Sequence, residues 1–200
     1  MSFIKKLEKR IAANREQNRY YHGSPKDHGD ILKVLPFGES EGHDFGGIFL
    51  TQEGLGGHMG PSKNVWYFID LKDSEILSTN DLYYRHSDKD PKIKEVLERF
   101  SDDDEKTGVW EFEGDEDKRS KDDFIWDLIC ERKSRNTDHS RLIHLFGESG
   151  EWELQTIQGQ IAKALGFKAV EMTDETGTVY LLVGPNKMRK MTKDDLSNMS

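Results

Sequence analysis

Apolar residues along this chain follow two rhythms, one helical and one extended, and the change between them falls near glycines. In residues 2–18, Phe3, Ile4, Leu7 and Ile11 recur at three- and four-residue spacing among Lys, Arg and Glu, which predicts an amphipathic N-terminal helical extension. The period then shortens. Arg19-Tyr20-Tyr21-His22-Gly23-Ser24-Pro25 reads as an aromatic strand ending in a loop. Gly46-Gly47-Ile48-Phe49-Leu50-Thr51 reads as a second strand opened by paired glycines, and Val65-Trp66-Tyr67-Phe68-Ile69-Asp70-Leu71 is the clearest strand of all. Helical spacing returns after Asp90-Pro91, where Ile93, Val96, Leu97 and Phe100 share a face behind an initiating proline.

Residues 101–123 carry mixed charge with only Val109, Trp110 and Phe112 as apolar anchors, so they read as a solvated insertion. Ser120 is placed to cap a helix whose buried side is Phe124, Ile125, Leu128 and Ile129. Trp152, Gln155, Ile157, Ile161 and Leu165 then lie along a helix that Gly166 stops. Residues 167–172 and 179–183 follow as a hairpin across the polar connection 173–178, and residues 186–200 read as a short helix or loose tail. Strands and helices in this mixed order predict one α+β domain over 1–200.

Charge and cysteine content narrow the function. The 38 acidic residues against 29 basic give a formal net charge of -9, which argues against direct nucleic-acid binding through the phosphate backbone. A single cysteine, Cys130, excludes an internal disulfide framework and fits a reducing, cytoplasmic setting. No apolar run approaches the 18 or so residues of a membrane-spanning helix, and no membrane partner is expected. His139 and His144 are five apart and no paired cysteines accompany the histidines, so no metal site is expected. Gly54 to Lys63 lacks the glycine-lysine-hydroxyl ending of a phosphate loop and reads as a loop over a cleft.

Three short elements carry a resemblance. His22-Gly23-Ser24 ends the first strand, Gly46-Gly47-Ile48-Phe49-Leu50-Thr51 is a glycine-led strand with an aromatic residue, and Asp174 is a carboxylate at a strand end. In this order they resemble the motifs of the ADP-ribosyltransferase superfamily. Trp152-Glu153-Leu154-Gln155, Leu165-Gly166-Phe167 and the stretch from Val170 to Thr178 are similar, more narrowly, to phage anti-CRISPR proteins that are NAD-dependent ADP-ribosyltransferases. Taken singly, His22 fits a loop histidine, Asp174 a turn residue, Gly46-Gly47 a bulge and Phe49 core packing. Residues 2–18 and much of 72–150 have no recognised counterpart.

The resemblance implies a split, mainly antiparallel sheet flanked by helices, with NAD in a cleft between His22, Phe49 and Asp174. It implies transfer of ADP-ribose from NAD to a host protein in the host cytoplasm, such as a CRISPR surveillance-complex subunit. Asp174 is then the catalytic carboxylate, placed to stabilise the positive charge that develops on the ribose as its bond to nicotinamide breaks. His22, Gly23, Ser24, Phe49, Leu50, Thr51 and Tyr67 are the cofactor-binding candidates, with Tyr21 beside them. Aspartate stands where the superfamily more often has glutamate, so Glu171 and Glu175 remain rivals, and phenylalanine stands at 49 where many relatives have tyrosine. Met172 replaces the second acidic residue of arginine-modifying relatives, which disfavours arginine as acceptor. Two other readings stay open: an acidic protein that mimics nucleic acid and blocks a basic groove, and a glycohydrolase that consumes NAD without an acceptor.

Overall fold

The structure, a computed structural model, describes residues 18–35, 47–52, 65–101, 125–126, 129, 150–174 and 177–197. Among the described residues, eight strands build two four-stranded sheets. In chain order they are β1 Arg19–Ser24, β2 Ile31–Val34, β3 Ile48–Leu50, β4 Val65–Asp70, β5 Ile76–Leu77, β6 Ala169–Asp174, β7 Gly177–Leu182 and β8 Asn186–Lys190. The described helices are α1 Thr79–Arg85, α2 Pro91–Ser101, α3 Gly150–Leu165 and α4 Lys193–Ser197. One sheet runs β1-β4-β8-β2 with every pair antiparallel. The other runs β3-β7-β6-β5, antiparallel except where β5 meets β6. This is the α+β arrangement that the alternating patterns imply.

Burial explains why β4 reads as a nearly unbroken apolar run: both of its faces are covered. Tyr67 faces a central cluster with Tyr20, Leu50, Leu71 and Met188, while Trp66 and Phe68 face a smaller one closed by Met191, Tyr21 and Leu196 of α4. The largest cluster lies between helices and the second sheet, where Ile93 and Leu97 of α2 and Leu154, Ile157 and Ile161 of α3 meet Val170, Met172 and Leu181. Burying one such side chain contributes roughly 1.5–3 kcal/mol, so this face is the main source of cohesion. Ile125 and Ile129 join it as helical, buried residues. Ser120, Phe124 and Leu128 lie outside the described residues, as do the helix expected before residue 18, the insertion from 102 onward and the 54–63 loop.

Two expectations change. Asn186–Lys190 forms β8, an inner strand paired with both β4 and β2, and the short helix expected within 186–200 is confined to α4. Its one apolar residue, Met188, is fully buried, and Arg189 lays its guanidinium 4.7 Å from the centroid of the Phe68 ring while pairing with Asp70. Long cationic stems thus cover apolar surface that a hydrophobic pattern would otherwise mark. The hairpin connection is also shorter than 173–178, because β6 runs to Asp174 and β7 starts at Gly177, whose φ of +124° suits glycine. Gly166, at φ +91°, does end α3 as its position predicts.

Candidate functional site

The two sheets touch where β1 meets the end of β3. Tyr21 and Thr51 exchange both backbone hydrogen bonds, at 2.9 and 3.0 Å, and this pair is an isolated bridge. Bonding direction alternates along a strand, so Gly23 aims its N–H and C=O to the same side as Tyr21, toward β3. Phe49, two residues before Thr51, aims its carbonyl back toward β1 by the same rule. The ladder does not continue there. Instead the His22 ring donates from Nδ1 to the Phe49 carbonyl oxygen at 3.0 Å, and a side chain bridges the strands where they part. A carbonyl has no proton to give, so Nδ1 carries it, and in the neutral ring Nε2 carries the lone pair.

Behind His22 the site is held rigidly. His22 pairs in register with Tyr67 of β4, which is fully buried. The Tyr67 hydroxyl accepts from the His28 N–H at 2.7 Å and donates to the Gly29 carbonyl at 3.2 Å, with Asp27 Oδ1 at 3.4 Å. Lys190 Nζ pairs with Asp27 and, with the Gly29 N–H, holds that carboxyl below the usual aspartate range. Ser24 is buried, its hydroxyl accepting from the Lys26 N–H at 3.2 Å. Tyr67 therefore ties the turn after the His22-Gly23-Ser24 segment to the sheet. Tyr67→Phe should cost about 1–2 kcal/mol by leaving the His28 N–H without its acceptor, measurable by urea denaturation. Unchanged stability would mean the turn does not depend on that hydroxyl.

On the other wall, Leu50 is buried in the central cluster and Phe49 is partly buried against the helical core. The Phe49 ring meets the Trp152 indole edge to face, with centroids 6.3 Å apart and planes at 74°. Trp152 is 57% exposed, so it does not belong to the buried stripe of α3, whereas Gln155 does. Gly47 lets β3 lie close on β7: a Cβ there would fall 2.6 Å from Leu181 Cδ1 and 3.0 Å from the Leu182 carbonyl oxygen.

Asp174 is the last residue of β6 and pairs with Gly177 at the tip of the hairpin. Leu50 pairs with Tyr180, three residues further along β7. Strand rise and spacing therefore put the backbone of Asp174 about 14 Å from that of Leu50. Glu175 lies outside the described residues. Glu171 is half-buried, and burial, with a smaller contribution from Asp81, raises its carboxyl above the usual glutamate range against the opposing hydrogen bond from Thr79. Burial likewise raises the Tyr20 phenol, with Tyr180 adding to it; their rings are 4.8 Å apart.

A raised carboxyl in the fold binds its proton more tightly than in the unfolded chain, so Glu171 favours folding below the unfolded value and loses that contribution as pH rises through the folded one. Glu171→Gln should consequently be more stable than wild type at about pH 7, with the difference closing by about pH 4. Chemical denaturation at both values tests it, and a difference independent of pH would exclude the burial effect.

The Phe49–Trp152 contact and the anchoring by Tyr67 were not legible as site features in the sequence, since each joins residues remote along the chain. No group of His, Cys, Asp and Glu suited to a metal ion occurs among the described residues, and among them no helix is long and apolar enough to cross a membrane.

Comparison with known proteins follows the same geography. A family model described as Anti-CRISPR Type I-F ADP-ribosyltransferase AcrIF11 matches residues 18–190. It begins at the residue before β1, ends with β8 and runs through 72–150, where the sequence offered no recognised counterpart. A solved structure described as the crystal structure of an anti-CRISPR protein is similar in fold, with 22% identity and a TM-score of 0.50, over 86% of this chain and 94% of that one. No curated protein matches the chain.

Proposed function

Because this chain belongs to the Anti-CRISPR Type I-F ADP-ribosyltransferase AcrIF11 family, we propose that it transfers ADP-ribose from NAD to a side chain of a host CRISPR–Cas protein, in the host cytoplasm. The observation that carries this reading is the parting of β1 and β3 after one bridge, where the His22 ring donates to the Phe49 carbonyl. Gly23 follows His22 with no side chain, which allows the carboxamide of nicotinamide to approach the backbone there. Phe49 offers a ring for the nicotinamide to lie against, with Thr51 on the same side of the strand, Leu50 seats that wall in the central cluster, and His22 meets a ribose hydroxyl. Ser24 and Tyr67 act through the turn they hold.

In the reaction, the bond between the ribose anomeric carbon and the nicotinamide nitrogen breaks, and its electron pair leaves with neutral nicotinamide. An acceptor heteroatom then bonds to the same carbon and releases its proton to solvent. Asp174 stabilises the intervening oxocarbenium-like charge through the neighbouring ribose hydroxyl. The estimated span from Leu50 to Asp174 suits one nicotinamide-riboside unit held between two side chains.

The test is nicotinamide release from NAD by the purified protein, alone and with a lysate that contains a type I-F CRISPR complex and NAD labelled on its ADP-ribose portion. Release with a labelled protein band supports transfer. Release with no band in any lysate supports the glycohydrolase reading, and neither release nor NAD binding removes the enzyme reading and leaves an acidic binding protein.

A further inference from the structure

At its β2 end the first sheet has two unlike faces. Leu32 and Val34 of β2 and Met188 of β8 are buried on the inner one. On the outer one Ile31, Lys33 and the following Leu35 are exposed, as are Lys187 and Arg189. Residues directly opposite across a strand pair share a face, so Lys33 stands against Lys187 and Ile31 against Arg189. Arg19 and Arg189 share Asp70, at 2.8 and 3.0 Å, and Asp195 of α4 acts on both. The two lysines have no ion-pair partner among the described residues. Opposed like charges are unfavourable, yet a chain of net charge -9 keeps them there. A lysine on the outermost strand protects a sheet edge from further pairing, which accounts for Lys33. It does not account for Lys187, which lies on the inner strand β8.

We propose that this outer face is a docking surface for an acidic segment of the acceptor protein, which seats a carboxylate between Lys33 and Lys187 and apolar side chains on Ile31 and Leu35. This rests on the transferase reading above. Ile31, Lys33 and Leu35 alternate with buried residues, so an extended segment with apolar residues two positions before and after its Asp or Glu matches them in period. Aliphatic groups on both sides of the cation suit a protein. A nucleic acid would bring phosphate charge without apolar surface, against the net charge of the whole chain. Tyr67 and His22 lie on the inner face, so an acceptor held on the outer one leaves the cleft open. β2 is three strands from β1, about 14 Å across the sheet, a distance that a folded acceptor spans.

The experiment follows labelling of a purified type I-F CRISPR complex by the full chain, beside nicotinamide release from NAD alone. Lys33→Glu turns the like-charged pair into an opposite-charged one, so it should raise the urea midpoint and yet raise KM for the complex about tenfold. Nicotinamide release without the complex should stay within about twofold of wild type, and Lys33→Arg should keep the wild-type KM. Ile31→Ser combined with Leu35→Ser should raise KM for the complex as well. A KM for the complex unchanged by Lys33→Glu overturns the proposal. Binding a single-stranded RNA oligonucleotide more tightly than a Val-Thr-Glu-Thr-Val-Thr-Glu-Thr-Val peptide also overturns it and makes the face a phosphate site. A wild-type dimer that Lys33→Glu dissociates overturns it in favour of self-association. If wild type releases no nicotinamide and labels nothing, the transferase reading fails. Amide NMR shifts of β2 and β8 on titration with that peptide, lost in Lys33→Glu, then keep the docking surface, and without them both fall.

Discussion

Asp174→Ala is expected to lower the rate of nicotinamide release about 10²- to 10³-fold, by analogy with removal of other preorganised electrostatic partners of a transition state. Positive charge on the ribose is small in bound NAD and greatest as the glycosidic bond breaks, so a carboxylate placed for it lowers the barrier more than it tightens binding. The loss should therefore appear in kcat, with KM for NAD changing little. Position 174 ends its strand, where the pairing with Gly177 belongs to the backbone and survives the substitution. Steady-state nicotinamide release, read beside the denaturation midpoint, separates a chemical loss from a folding one. If Asp174→Ala keeps wild-type turnover while Glu171→Gln abolishes it, the carboxylate is misassigned and Glu171 takes the role.

Gly47→Val should carry the largest cost in stability, about 2–3 kcal/mol. The first carbon of any side chain at 47 would sit 2.6 Å from Leu181 Cδ1 and 3.0 Å from the Leu182 carbonyl oxygen. The leucine methyl can turn away, but the carbonyl belongs to β7, so relief requires β3 to move outward. That movement would draw the Phe49 carbonyl from His22 and open the edge-to-face contact with Trp152. Urea denaturation measures the first effect. Nicotinamide release, under conditions where the variant remains folded, measures the second. A variant as stable and as active as wild type would show that β3 accommodates the side chain without moving, and that the site does not depend on this close approach.

Much of the frame could be read along the chain because local physics and tertiary structure agree there. The α2 and α3 helices follow the spacing of Ile93, Val96, Leu97 and of Ile157, Ile161, with proline at one start and a positive-φ glycine at one end. The β4 strand followed from its aromatic run, and β6 and β7 from two apolar segments around polar residues. The strands β2 and β8 did not follow, since Ile31-Leu32-Lys33-Val34 is brief and Asn186-Lys187-Met188-Arg189-Lys190 holds one apolar residue. Their place depends on partners far along the chain and on arginine stems covering Phe68.

Legible along the chain are the α+β character and the candidate chemistry: an aromatic strand ending in His22-Gly23-Ser24, a glycine-led strand carrying Phe49, and a carboxylate beside a hairpin. These are patterns of a few neighbouring residues, and side-chain periodicity, glycine and charge act at that range. Long-range packing sets the rest: β1 and β3 part after a single bridge, the His22 ring spans between them, Tyr67 uses its hydroxyl on the 27–29 turn, and Trp152 meets Phe49 while remaining exposed. Each joins segments remote in sequence, and such contacts are set by the packing of sheets and helices around shared cores rather than by any local preference of the residues that make them.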